Sequence, residues 1–72
     1  MTIDEFMRDI APKMRSGWVA MDKDRTWPYF PYKPRIIDVS WWGNNHDVPL
    51  SNMFDIFPVD DWTQSLRKVG NV

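Results

Sequence analysis

The chain has 72 residues and no cysteine, so neither a disulfide nor a thiolate zinc site can staple it, and its fold has to rest on apolar burial. A domain this small buries only about 60% of the surface its unfolded form exposes, which makes each bulky side chain count. Five Trp, four Phe and two Tyr supply that bulk. The aliphatic residues Ile3, Ile10, Ile36, Ile37, Val39, Ile56 and Leu66 must join them, so most of the large hydrophobes are expected inside a single domain spanning residues 1–72.

Local signals set the order of elements. Thr2 and Glu5 form a capping box, the hydroxyl accepting from the Glu5 N–H and the carboxylate reaching back to the Thr2 N–H. Ile3, Phe6, Met7, Ile10 and Met14 then recur at helical period, which predicts a helix with one apolar stripe. Pro12 lacks the N–H that the helix needs, so regular structure is expected to end near Ala11, or to kink and finish before Gly17. Trp18–Asp22 and Thr26–Phe30 read as a hairpin joined by Asp22-Lys23-Asp24-Arg25. Pro28 cannot donate to a ladder, which places the second of these strands at an edge. Pro31 and Pro34 extend the connection that follows.

Arg35–Trp42 alternates Ile37, Val39 and Trp41 with Ile36, Asp38, Ser40 and Trp42, the pattern of one strand with a buried face. Alternation sends Trp42 to the other side of that strand, where a second packed layer or a partner would have to cover it. Gly43–Asp47 reads as a polar loop. Met53–Phe57 fits a short fourth strand or an irregular core-packing segment. Asp60 can cap a final short helix carrying Trp62, Leu66 and Val69, with Gly70 as its stop.

Charge is segregated along the chain behind a net value of −1. Residues 13–35 carry six bases and two acids, whereas residues 36–66 carry five acids and no base. Such a chain can present a basic and an acidic face, but its near-neutral total disfavours wholesale duplex binding. No apolar run approaches the roughly 18 residues of a membrane span, and the acidic N-terminus does not resemble a secretion signal. A soluble protein of the reducing cytoplasm is expected, and no cofactor is implied.

Several motifs compete with plainer readings. Val19-Ala20-Met21-Asp22-Lys23-Asp24-Arg25-Thr26 resembles the apolar-strand and Asp-x-Asp-x-Thr signature of haloacid dehalogenase-like phosphatases, but such an enzyme needs a parallel α/β sheet larger than 72 residues can build. Acidic residues at a hairpin turn are the plainer reading. Gly17-Trp18, Tyr29-Phe30 and Trp41 resemble the aromatic spacing of a WW domain. Pro28 would interrupt that domain's central strand, and neither its groove histidine nor the proline after its second Trp is in place. His46 and Asp47 would need further ligands, from Asp55, Asp60 or Asp61, to hold a metal. Arg25, Trp27, Tyr29, Tyr32, Lys33 and Arg35 interleave rings and cations as a single-stranded nucleic-acid platform does.

Taken together, Trp18-x-Ala20-x-Asp22-Lys23-Asp24, Trp27-x-x-Phe30-x-x-Lys33-Pro34, the aliphatic strand ending in Trp, and Trp62-x-x-Ser65-Leu66 resemble a set of small phage and prophage proteins. Those relatives commonly carry glycine after the Asp-Lys-Asp turn, where this chain has Arg25. The resemblance implies a viral accessory protein that binds and blocks a host protein, such as a defence factor.

The expected architecture is α+β, an N-terminal helix and a short C-terminal helix covering a small antiparallel sheet of three or four strands. The expected function is a non-catalytic protein-interaction module, with Trp42, Tyr32, Tyr29 and Trp27 as aromatic anchors and Arg25 and Arg35 flanking them. Single-stranded nucleic-acid binding through the same patch is the alternative. A homodimer interface would account for the same rings.

Overall fold

A computed structural model describes residues 1–38, 40–43, 50 and 53–70. The chain is α+β, as its pattern predicts. Helix α1 spans Ile3–Asp9 and opens on the expected capping box: the Glu5 N–H donates to Thr2 Oγ1 at 3.1 Å and the Thr2 N–H to Glu5 Oε1 at 3.0 Å. The Thr2 N–H first, and then the Thr2 side chain, hold the Glu5 carboxyl below its ordinary range. After Ile10 the chain tightens into a 3-10 turn over Ala11–Lys13 with Pro12 in its first positions, where a missing N–H costs nothing.

Three strands make the main sheet: β1 (Gly17–Val19), β2 (Tyr29–Phe30) and β5 (Arg67–Val69), with β1 in the centre and every pairing antiparallel. Trp18 lies opposite Phe30 on one side and Lys68 on the other, while Val19 lies opposite Tyr29 and Arg67. Pro28 directly precedes β2, and β2 is an edge strand, as its missing donor requires.

Two strands form a separate hairpin, β3 (Arg35–Ile37) and β4 (Ser40–Trp42), in the register Arg35↔Trp42, Ile36↔Trp41, Ile37↔Ser40. The expectation of one continuous strand over Arg35–Trp42 is therefore corrected. Asp38 has φ 56°, a left-handed conformation that Asp adopts at less cost than most residues, and the chain reverses there. A reversal across two positions changes the parity of the faces. Ile36, not Ile37, shares a face with Trp41, and Arg35 and Ile37 share the opposite face with Trp42. Val39, the loop over 44–49 with His46 and Asp47, and residues 51, 52, 71 and 72 lie outside the described residues.

The two faces of the main sheet pack against different layers. On one, Val19, Tyr29 and Val69 join Ile3 and Phe6 of α1, with Trp27, Leu50 and Ile56. On the other, Ala20 and Phe30 meet Trp41 of the hairpin, bordered by Trp18, Trp62 and Leu66. The Trp41 indole N–H donates to the Trp62 carbonyl at 3.1 Å, and the Trp41 backbone N–H to Asp22 Oδ1 at 2.8 Å. These two bonds fasten the hairpin to the connections that flank the sheet, the one after β1 and the turn before β5.

Residues 53–57 form no strand. They take the second expected form, an irregular segment in which Ile56 is buried and the Phe54 ring meets Phe6 edge-on at 5.7 Å. The C-terminal helix is likewise shorter than its apolar spacing suggests. A single 3-10 turn, Trp62–Gln64, is capped by Asp61, whose Oδ1 accepts from the Thr63 N–H. The chain then pairs as β5, because β1 offers Val69 a cross-strand position beside Gly17 and a place in the core.

Ser65 is the buried polar residue that joins this turn to the sheet. Its Oγ accepts from the Met21 N–H at 2.7 Å and lies 2.6 Å from the Trp62 carbonyl, to which it donates. Ser65→Ala would leave the Met21 N–H without its partner, and is expected to cost about 1–3 kcal/mol in urea unfolding. A loss below about 0.5 kcal/mol would show that the bond contributes little there.

Candidate functional site

A groove at the outward face of the hairpin gathers the two most exposed rings among the described residues, and the third, Phe57, does not line it. Trp42 is 57% and Tyr32 68% exposed, and with Lys33, Arg35, Ile37 and Gly43 they line a groove of about 390 Å³. The placement follows from register: Arg35 and Trp42 are cross-strand partners, and Ile37 is two residues along from Arg35, so all three project to one side. Trp41 goes inward in the same step that sends Trp42 outward.

Cations border this groove without acids to match them. Lys33 Nζ sits 5.4 Å from the centroid of the Trp18 ring, and Lys68 Nζ sits 5.5 Å from the same centroid. A half-buried indole attracts such cations through its quadrupole. Lys68 Nζ also donates to Ser16 Oγ at 2.8 Å. Among the described residues the one ion pair is Arg8–Asp9 on α1, at 2.9 Å, so neither Lys33 nor Arg35 faces a carboxylate there.

Not every expected anchor reaches the surface. Trp27 is 0% and Tyr29 4% exposed, which corrects their assignment as contact residues: a side chain without accessible surface cannot anchor a partner. Trp27 instead fills the core beneath α1, and its backbone carbonyl accepts from Leu50 N–H. Among the described residues its indole N–H has no partner. The Tyr29 hydroxyl donates toward the Ser16 carbonyl at 2.9 Å, and the Arg15 guanidinium lies 5.5 Å from the Tyr29 ring. Arg25 is exposed but apart from the hairpin face, lining a second cleft with Lys23, Asp60 and Trp62. Its φ of 72° is the left-handed conformation that glycine adopts without strain.

The Asp-x-Asp-x-Thr segment is occupied with local structure. Asp22 secures Trp41 as described, and Asp24 Oδ1 accepts from both the Thr26 hydroxyl, at 2.6 Å, and the Thr26 N–H, at 3.0 Å. These bonds, the hydroxyl's first, hold the Asp24 carboxyl below its ordinary value. A lowered folded value means stability that is present above the ordinary aspartate pKa of about 4 and is lost as pH falls through the folded one. The stability advantage of the wild type over Asp24→Asn is accordingly expected to shrink between pH 7 and pH 3 in urea unfolding, and a constant difference would contradict it. Among the described residues no group of three or more His, Asp or Glu could hold a metal ion, and none of their helices is long and apolar enough to cross a membrane.

No protein-family model, curated protein or solved structure matches this chain. The hairpin face therefore has to be interpreted from its own chemistry. Sequence reasoning found Trp42, Tyr32 and Arg35 but not Ile37 as part of that face. A single strand puts Ile37 beside Trp41, and only the reversal at Asp38 moves it next to Trp42. Lys33 was visible as one cation of the aromatic and basic segment, though its seat on Trp18 was not.

Proposed function

We propose that this chain is a non-catalytic protein-interaction module that docks through the outward face of its β3–β4 hairpin. One observation carries the reading: Trp42 is held outward by a scaffold whose neighbouring Trp41 is bonded to Asp22 and Trp62, so a large ring stays exposed on a rigid support. Exposed aromatics beside arginine are the composition of interface hot spots. Pre-organisation adds to the effect, since a ring already in place loses little freedom on binding. The resemblance to phage and prophage accessory proteins makes a host cytoplasmic protein the partner class, and blocking of that protein the expected outcome of docking.

A second reading draws on the same groove, in which two rings and two cations sit together as they would for stacked bases and tracked phosphates. Capture from host lysate with wild type, Trp42→Ala and Tyr32→Ala tests the first reading. Loss of a specific captured protein in both variants, with folding intact, is the expected result, and an unchanged capture profile would refute the assignment. Oligonucleotide binding that weakens steeply with salt would favour the second reading.

A further inference from the structure

We infer that the open edge of β3 accepts an extended, acidic segment of a partner protein as an added strand, an inference that rests on reading the hairpin face as an interaction surface. All three residues of β3 are exposed. The other edge of the hairpin is taken, because the Trp41 N–H donates to Asp22 Oδ1. That bond also sets the phase of the ladder. Antiparallel partners alternate between pairs that bond to each other and pairs whose N–H and C=O groups point away. Trp41 points away from β3, so its partner Ile36 points its own N–H and C=O away from β4. Among the described residues nothing is bonded to them from outside.

Side chains then specify what could lie there. A strand beside β3 would set alternate residues next to Arg35 and Ile37 on the face shared with Trp42. A carboxylate suits the first position, within the field of Lys33 as well, and an aliphatic side chain suits the second, against Ile37 and Trp42. The matching segment carries an acid and an aliphatic residue two positions apart. Two cations without a facing carboxylate among the described residues argue against a second copy of this chain, which would bring Arg35 diagonal to its own counterpart. A nucleic acid would use the rings and cations but would leave the Ile36 donor and acceptor unmatched as a pair. Pro34 and the turn at Asp38 keep the edge to about three residues, so a minimal peptide should bind with a Kd on the order of a millimolar.

The test uses the full chain, labelled with nitrogen-15, and the peptide acetyl-Thr-Glu-Thr-Val-Thr-Glu-Thr-amide, which places acid and aliphatic residues two apart in either direction. Saturable shifts of the Ile36 amide and the Trp42 indole N–H are expected, with slowed hydrogen exchange at Ile36. Replacing both Glu by Gln should weaken binding about fivefold at low salt. Ile36→Pro, which removes the outward donor but no bond within the hairpin, should abolish it while Ile36→Thr retains it. Exchange at Ile36 is measured on the unaltered chain, so the inference stays testable if the proline variant does not fold.

Shifts at Trp42 without any change in shift or exchange at Ile36 would overturn strand addition and leave the interaction surface standing. No shift at millimolar peptide, or equal binding of the Gln peptide, would overturn the acidic-segment inference, while lysate capture independently decides the surface itself. Tighter binding of a ten-residue oligothymidylate at the same signals would replace it with the nucleic-acid reading.

Discussion

Alanine in place of Trp41 is expected to cost about 3–5 kcal/mol, whereas alanine in place of its neighbour Trp42 should change stability by no more than about 0.5 kcal/mol. The two side chains have the same composition and adjacent positions, so the contrast isolates environment. Trp41 is buried between Ala20 and Phe30 on one face of the main sheet, and its indole N–H is satisfied by the Trp62 carbonyl. Truncating it removes that packing, opens a cavity and leaves the Trp62 carbonyl with one donor fewer, the Ser65 N–H and Oγ remaining. Trp42 has most of its ring in solvent and gains little from folding.

A domain of this length has a total stability on the order of 4–11 kcal/mol, so Trp41→Ala should remove a large share of it. Urea unfolding followed by far-ultraviolet circular dichroism measures both variants. Equal losses would mean that the hairpin does not pack as described. A large loss at Trp42 would mean that its exposed ring has a structural role, and would remove it as a docking anchor.

The contrast between these tryptophans was half legible in the sequence. Alternation alone separates Trp41 from Trp42, because adjacent residues of a strand face opposite ways wherever the strand begins. The helix was legible for the same reason: Thr2, Glu5 and the Ile3–Phe6–Ile10 spacing are local signals, and local signals survive without knowledge of the tertiary fold. The reversal at Asp38 was hidden. No glycine or asparagine marks it, and Ile36, Ile37 and Val39 all favour extended backbone, so the segment reads as one strand until packing divides it.

Residues 65–69 failed in a related way. Trp62, Leu66 and Val69 have helical spacing, yet a ladder with β1 gives the backbone partners and buries Val69, and tertiary pairing overrides a short periodic signal. The site shows the same division. Trp42 and Tyr32 emerged from an excess of large rings, but burial of Trp27 and Tyr29 depended on α1 and on Leu50 and Ile56 arriving from distant parts of the chain.

Gly70→Ala is the second substitution expected to have a large effect, about 2–5 kcal/mol, through backbone strain and backbone crowding acting together. Gly70 has φ 81°, where an L-residue pays about 1–2 kcal/mol for its Cβ. It also turns the chain at the end of β5 so that its N–H donates to the Ala11 carbonyl at 2.9 Å, tying the last strand to the turn after α1. A Cβ there would lie 2.6 Å from the Ser16 nitrogen, 2.7 Å from the Arg15 carbonyl carbon and 2.7 Å from the Met14 oxygen. All three are backbone atoms, so no rotamer change can relieve the contact. Gly70→Asn separates the two causes. Asparagine tolerates the left-handed conformation but carries the same Cβ, so it should recover little of the loss if crowding dominates, as these distances require. Urea unfolding of the two variants decides it: near-complete recovery in Gly70→Asn would assign the cost to conformation alone, and a loss below about 1 kcal/mol in Gly70→Ala would show that β5 can withdraw from the 14–16 segment without penalty.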